Sequence, residues 1–291
     1  MMRALQRLIE ELEQDRSLDE PERLRERIEA VDRLDVYLPD GRSPVHDANS
    51  AEAEFHLRAR SLYTQFESAN LELYQTIRGE IQRATGPYRL LRWVPDRPGK
   101  SADLAKGDGY DYLDELISGV LDFEEPDAEG VEPAQEMVFY QPTPARHIFD
   151  LIDRIALTER DVLVDLGSGL GHVPLLVSIC TSARSMGVEL EPAYVDCARR
   201  CAEQLNRTHV AFLQQDARLA DLSSGTVFYL YTPFTGNVLR TVLDRLQREA
   251  TGREIRICTF GPCTAIIAKE PWLEAIGALE ADRVAIFSSR H

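Results

Sequence analysis

Acidic and glycine residues between positions 165 and 189 are the part of this sequence best suited to binding a ligand. Asp165 follows the short apolar run 162–164, and the glycine-rich segment 167–171 comes directly after it. Glycine allows positive φ angles and lets the backbone approach a ligand without a Cβ atom in the way. Glu189 stands 24 positions after Asp165. This spacing is typical of an acid that binds ribose hydroxyls at the end of the following strand.

The spacing of the glycines indicates which ligand fits. A dinucleotide turn reads G-x-G-x-x-G, whereas this segment reads G-x-G-x-G, with Asp165 two positions before the first glycine. A carboxylate there would repel a pyrophosphate and attract a cation. S-adenosyl-L-methionine fits this description, because it has a ribose and a positive charge but no phosphate. The glycine spacing also argues against an NAD-type oxidoreductase.

Alternating strand and helix patterns place these residues in an α/β fold. The apolar run 162–164 predicts a strand buried on both faces, and helical spacing begins at Val173. Further strands are expected at 186–188, 210–212, 225–231, 254–260 and 283–288, with a short helix at 272–279. We therefore predict a Rossmann-like, doubly wound, mostly parallel sheet, preceded by a mainly α-helical N-terminal domain.

Two motifs carry a family resemblance. The sequences D-L-G-S-G-L-G at 165–171 and G-V-E-L-E-P at 187–192 resemble the cofactor motifs of class I, Rossmann-like, S-adenosylmethionine-dependent methyltransferases. The serine between the glycines is similar to that of the non-SET histone-lysine methyltransferases. The resemblance covers roughly Gln141 to the C-terminus, about half of the chain.

The resemblance implies a set of cofactor-binding residues. A segment before the first strand would close over the methionine end of the cofactor, Asp216 would hold the adenine amino group, and the end of the fourth strand would meet the transferred methyl. Thr143 fits a helix-entry role equally well, and Asp216 fits a helix cap. The full predicted set is Tyr140, Gln141, Thr143, Asp165, Gly167, Ser168, Gly169, Gly171, Glu189, Asp216, Thr232 and Pro233.

The end of the fourth strand departs from the family's amine-methylating members. Adenine and glutamine N-methyltransferases carry an Asn or Asp, two prolines and an aromatic residue there, whereas this chain has Thr232, Pro233 and Phe234. Adenine methylation is therefore disfavoured. If the acceptor must lose a proton, the catalytic candidates are Tyr140 and Tyr231, with Glu136 as a further base.

Helical patterns fill the N-terminal half. We predict a domain over residues 1–130 that recognises the substrate or covers the site, and a methyltransferase domain over 131–291. The apolar face of the N-terminal domain includes Leu62, Phe66, Leu73 and Ile77, and this face must be buried against another surface. The same helices could instead form the interface of a homo-oligomer.

Composition narrows the partners. The formal charge is −16, which argues against a nucleic-acid acceptor and favours a small-molecule or protein acceptor. The five cysteines contain no C-x-x-C pair, the histidines show no ligand spacing, and no apolar run reaches about 18 residues. These features predict a cytoplasmic protein without a metal site or a membrane segment. A non-catalytic cofactor-binding or protein-interaction module and an aminopropyl transferase are the alternatives on the same fold.

Overall fold

The computed structural model describes residues 2–38, 50–93, 109–124, 136–138 and 140–290. The chain divides into two units, one formed by Met1–Gly79 and Leu91–Arg97, the other by Glu80–Leu90 and Pro98–His291. The predicted domain boundary at 130/131 lies outside the described residues. The placement of that boundary stays a prediction.

The first unit is built from helices. Helix α1 spans Met2–Gln14 and α2 spans Leu24–Asp35, with two short 3₁₀ turns between them, and α3 spans Ser50–Arg83. The end of α3, from Glu80, belongs to the second unit. The apolar stripe of α1 packs with residues of α2 and α3 in one core. The members of this core with the least exposure are Leu5, Ile9, Ala30, Leu34, Ala59 and Phe66.

A buried arginine joins the elements of this unit. The side chain of Arg27 is 1% exposed, and its Nε donates to Oδ1 of Asn70 at 2.7 Å. Its Nη1 donates to the carbonyl of Leu18 at 2.9 Å. An arginine in this environment is stabilised by such hydrogen bonds, because an unpaired buried charge is costly. Arg27 thus connects α2 to α3 and to the first 3₁₀ turn.

A twisted sheet forms the centre of the second unit. Within the described residues seven strands pair in the order β3-β2-β1-β4-β5-β7-β6. Strands β1 to β5 are parallel, and β7 is antiparallel to both of its neighbours. The bounds are β1 Val162–Leu166, β2 Arg184–Glu189, β3 Val210–Gln214, β4 Val227–Leu230, β5 Arg256–Thr259, β6 Leu273–Ala275 and β7 Ala285–Ser289. The predicted Rossmann-like, mostly parallel sheet is confirmed.

Six helices that follow α3 belong to this unit within the described residues. Their bounds are α4 Tyr112–Leu121, α5 Ala145–Ile155, α6 His172–Cys180, α7 Pro192–Gln204, α8 Gly236–Ala250 and α9 Thr264–Ile267. Of these, α6, α7 and α8 connect parallel strands. All five residues of β1 are buried, as a strand covered on both faces requires. The predicted helix at 272–279 is wrong: Leu273–Ala275 is strand β6, which pairs with β7. None of the helices in the described ranges has the length and apolar character that crossing a bilayer requires.

Candidate functional site

The predicted acids and glycines meet at the carboxyl ends of β1 and β2. Asp165 is 4% exposed and lies in register with Gly187 of β2 and Tyr229 of β4. Burial raises the pKa of the Asp165 carboxyl well above its usual value, and the charge of Glu189 raises it further. The buried Asp165 carboxyl therefore lies near a second acidic side chain whose charge disfavours ionisation of Asp165.

The glycine turn after β1 is shaped by backbone hydrogen bonds. The N–H groups of Gly167 and Ser168 both donate to the carbonyl of Val188, at 2.9 and 3.1 Å. Gly167, Gly169 and Gly171 have φ angles of +89°, +51° and +87°, which side chains rarely adopt. Together these features fix the turn against the end of β2.

The turn also lies directly against its neighbours. A Cβ atom built at Gly169 would stand 1.9 Å from the ring of Tyr140, and one at Gly167 would stand 2.3 Å from the Cβ of Pro233. The structure therefore brings Tyr140 and Pro233, both predicted site residues, onto the glycine turn. Only glycine fits at these two positions.

The hydroxyl of Ser168 has no hydrogen-bond partner among the described residues. Its Oγ is buried, and a Cβ built at Gly187 would lie 2.5 Å from it. A buried hydroxyl usually finds a partner, so an orphaned one at a glycine turn calls for an explanation. It marks a polar position at the base of the site.

Glu189 ties the end of β2 to the glycine turn. Its Oε2 accepts from the N–H of Gly169 at 2.8 Å, while Oε1 accepts from the N–H groups of Leu190 and Glu191 at 2.7 and 2.9 Å. The side chain is partly exposed. Its position beside the turn agrees with the predicted spacing, and its role toward a ribose stays a prediction.

A cavity of about 410 Å³ opens beside the ends of β2 and β3. The cavity is lined by Val188 and Leu190 at the end of β2 and by Asp216 after β3. Phe234 and Asn237, near the start of α8, also line it. Apolar walls with a few polar groups are typical of small-ligand sites. Asp216, predicted to hold an adenine amino group, therefore lies on a suitable cavity.

The segment before α5 is held in place by hydrogen bonds. Thr143 Oγ1 lies 2.9 Å from the hydroxyl of the buried Tyr229, so Thr143 faces the sheet, and the cap residue of α5 is Pro144. Gln141 is exposed and hydrogen-bonds Tyr110. The Tyr110 hydroxyl also donates to the carbonyl of Pro142 at 2.9 Å. Of these three predicted residues, Tyr140 is the one that packs directly against the glycine turn in the described part of the chain.

Tyr140 is surrounded by aromatic side chains that sequence reasoning missed. Its hydroxyl lies 3.2 Å from Nδ1 of His172, and its ring is 5.0 Å from that of Tyr194. His172 in turn packs edge-on against Phe123. Burial raises the pKa of Tyr140 above its usual range. His172 directly follows the glycine turn, and this was the one signal that could have identified it.

Thr232 has an unusual backbone conformation. Its φ is +40°, which is rare for a β-branched residue and marks local strain. The buried hydroxyl donates to the carbonyl of Phe260 at 3.0 Å and accepts from the N–H of Cys263 at 3.1 Å. Thr232, which stands where the amine-methylating families carry an Asn or Asp, thus links the end of β4 to the end of β5.

The two remaining catalytic candidates occupy different places. The ring of Tyr231 packs 5.0 Å from that of Phe260, which in turn lies 4.3 Å from the ring of His147. Glu136 instead accepts from the N–H of Asn237 at 3.0 Å and caps α8. Tyr231 is therefore part of an aromatic surface at the ends of β4 and β5, while the Glu136 carboxylate is engaged by the helix.

The burial of His172 gives a pH-dependent prediction. Burial lowers the pKa of its imidazole to about 4, from about 6.5 when exposed. The unfolded chain therefore binds more protons than the folded chain between these values, so stability falls as pH falls from 6.5 to 4. We expect the free energy of unfolding of His172→Gln to depend less on pH in this window than that of the wild type. Urea titrations at pH 7 and 4.5 measure the difference, and equal pH dependence would contradict it.

Part of the chain that contains this site is similar to a known protein family. A sequence model of the family described as "Histone methylation protein DOT1" matches residues 135–225, less than a third of the chain. The match includes the glycine turn, Glu189 and Asp216. No match was found among curated proteins.

Several solved structures are similar to part of the chain. An RNA methyltransferase from Salinibacter ruber in complex with S-adenosyl-L-homocysteine is 22% identical over 51% of this chain and 92% of its own, with a TM-score of 0.41. A putative methyltransferase from Escherichia coli is 14% identical over 53% and 90%, with a TM-score of 0.42. A precorrin-6y C5,15-methyltransferase from Geobacter metallireducens is 16% identical over 57% and 96%, with a TM-score of 0.39.

The match to the histone methylation family covers the motifs that first suggested a resemblance. The sheet order, the glycine turn and the following acid are arranged as that resemblance requires. Within the described residues there is no group of three or more side chains suited to holding a metal ion. The chain therefore resembles the class I, Rossmann-like, S-adenosylmethionine-dependent methyltransferases, and its similarity to the non-SET histone methylation proteins is confirmed over residues 135–225.

Proposed function

We propose that this chain is an S-adenosylmethionine-dependent methyltransferase. The observation that carries the proposal is the meeting of Asp165, the glycine turn and Glu189 at the carboxyl ends of β1 and β2. Ligands of open α/β sheets bind at this edge. The match to the histone methylation family supports the same cofactor.

The residues of the site fit this cofactor. The ligand is cationic, and a positive charge beside Asp165 and Glu189 would relieve their mutual repulsion and lower the raised pKa of Asp165. The glycine turn packs directly against Tyr140 and Pro233, and Ser168 offers a hydroxyl that has no partner among the described residues. The cavity beside Asp216 has room for a purine base.

In the reaction the protein would position the acceptor relative to the methyl group and would exclude water from the site. When bound, the cofactor supplies an electrophilic methyl group on a sulfonium. Alignment of acceptor and methyl group can lower a barrier by roughly 7–11 kcal/mol in favourable cases. Tyr140, whose phenol stays protonated because burial raises its pKa, suits hydrogen bonding and shielding of the site. The aromatic face of Tyr231, packed on Phe260, suits a cationic acceptor.

A protein acceptor is favoured over a small molecule. The matched family is described as acting in histone methylation, and the formal charge of −16 favours basic partners over nucleic acid. We further propose that the helical domain over residues 1–130 selects this acceptor. None of the five cysteines, all of which lie in the described residues, forms a disulfide, which supports a reducing compartment such as the cytoplasm.

Ligand binding tests the cofactor assignment. We expect S-adenosylmethionine and S-adenosylhomocysteine to bind and NAD not to bind, because the site offers carboxylates where a pyrophosphate would lie. Isothermal titration calorimetry with each ligand measures this directly. Binding of NAD without any response to S-adenosylhomocysteine would overturn the proposal.

A non-catalytic cofactor-binding module is the second candidate. Thr232 favours it, because its hydroxyl is engaged by β5 and it replaces the amide found in amine-methylating relatives. Incubation of a lysate with methyl-labelled cofactor, followed by separation into protein, nucleic-acid and small-molecule fractions, distinguishes the two. Label in the protein fraction supports methyltransferase activity. Cofactor binding without label in any fraction supports a non-catalytic cofactor-binding module.

A further inference from the structure

Arg218 hydrogen-bonds the carboxylate of Asp216, which the proposed cofactor would need for its adenine amino group. The backbone N–H of Arg218 donates to Oδ1 of Asp216 at 2.8 Å, and its Nε lies 3.0 Å from both carboxylate oxygens. Its Nη2 donates to Oδ2 at 2.5 Å. The arginine therefore grips Asp216 with both its backbone and its guanidinium.

These contacts leave the carboxylate little remaining capacity. An ionised carboxylate offers about four lone-pair sites, and four contacts from Arg218 already approach them. Both residues line the same cavity. An amino group entering that cavity could bind Asp216 only by displacing the guanidinium.

Displacement of Arg218 is nonetheless easy. Its side chain is 48% exposed, and exposed ion pairs of this kind contribute little to stability. The carboxylate of Glu136, which lines the same cavity, also attracts the Arg218 charge. A released guanidinium therefore retains a favourable electrostatic neighbour.

We propose that Arg218 is a displaceable latch on Asp216 that sets the affinity of the site for a 6-aminopurine. This inference rests on the proposed function, because it assumes that the cavity receives the adenine of the cofactor. With the latch in place, binding of the amino group is coupled to breaking the ion pair. A purine without the amino group does not compete for Asp216 and leaves the latch closed.

The test compares two neutral ligands in two proteins. S-adenosylhomocysteine and its analogue with hydrogen in place of the 6-amino group are titrated into wild type and Arg218→Ala. We expect Arg218→Ala to bind S-adenosylhomocysteine about three- to fivefold more tightly, the range of an exposed ion pair. Its affinity for the analogue should be unchanged. Because both ligands carry the same charge, a general electrostatic effect of removing the arginine would affect them equally.

Arg240 provides a matched control. It is 46% exposed and pairs with Asp244 and Glu270, and it does not line the cavity. Arg240→Ala should leave both affinities unchanged. In an Asp216→Ala background, Arg218→Ala should no longer strengthen binding, since the carboxylate that it guards is absent.

The outcomes separate the latch from the cofactor proposal. Binding of S-adenosylhomocysteine that is unchanged or weakened in Arg218→Ala, or strengthened equally for the analogue, overturns the latch and leaves the cofactor assignment standing. Failure of every variant to bind S-adenosylhomocysteine overturns the cofactor assignment and the latch together. Thermal unfolding of each variant confirms that the compared proteins are folded.

Discussion

Gly169→Ala is expected to weaken binding of S-adenosylhomocysteine by at least about tenfold, since each 1.4 kcal/mol corresponds to a factor of ten. The added methyl group would stand 1.9 Å from the ring of Tyr140, in a residue with φ +51°. A left-handed conformation costs an L-residue about 1–2 kcal/mol, and the alternative is to move Tyr140 away from the turn. Either response changes the surface that the cofactor would contact.

Two measurements distinguish a local effect from a loss of the fold. Calorimetry gives the affinity, and thermal unfolding gives the stability, which should fall by an amount comparable to the strain. Gly252→Ala is the matched control: apart from its own chain neighbours, no atom of the described residues lies within 4 Å of the added methyl, and its φ is not in the left-handed range. An undiminished affinity in a folded Gly169→Ala protein would place the ligand elsewhere.

Glu189→Ala is expected to weaken cofactor binding by about 1–3 kcal/mol, the cost of leaving ribose hydroxyls without a charged acceptor. The carboxylate accepts from three backbone N–H groups at the ends of β2 and of the glycine turn. Its removal would loosen the turn at Gly169 and would also remove the predicted acceptor for ribose hydroxyls. Calorimetry with S-adenosylhomocysteine measures the loss.

The control for this change is Glu274→Ala. Glu274 is exposed on the edge strand β6, so its loss removes the same charge without touching the site. Its affinity should equal that of the wild type. Equal affinities of Glu189→Ala and wild type, with both proteins folded, would assign the ribose contact to another acid, of which Glu191 is the nearest along the chain.

The strand, glycine turn and acid of the proposed cofactor site could be predicted because each depends on residues close together in the sequence. The run 162–164, the glycines and the spacing to Glu189 determine a strand, a turn and a neighbouring strand, because these depend on residues close in sequence. The strand at Leu273–Ala275 was predicted as helix, because three residues carry too little periodicity to separate the two. Pairing with β7 decides its conformation, and that contact is distant in sequence.

The side-chain partners within the site could not be predicted for the same reason. Thr143 suited a helix cap by its position before Pro144, yet its hydroxyl meets Tyr229, 86 residues away. Glu136 was a candidate base, and the structure makes it the cap of a helix that begins 100 residues later. Arg218 lies only two positions from Asp216, but nothing in the spacing shows that its guanidinium folds back onto the carboxylate.

The insertion of β7 between β5 and β6 has a consequence for how the chain acquires its sheet during synthesis. Strand β6 leaves the ribosome before β7, yet it joins the sheet only through β7. Until residues 285–289 are available, β5 presents an unpaired edge and β6 has nowhere to pair. Unpaired edges are templates for association with other chains. In the interval between the synthesis of β5 and that of β7, the nascent protein therefore carries an open edge on β5 at which other chains can pair.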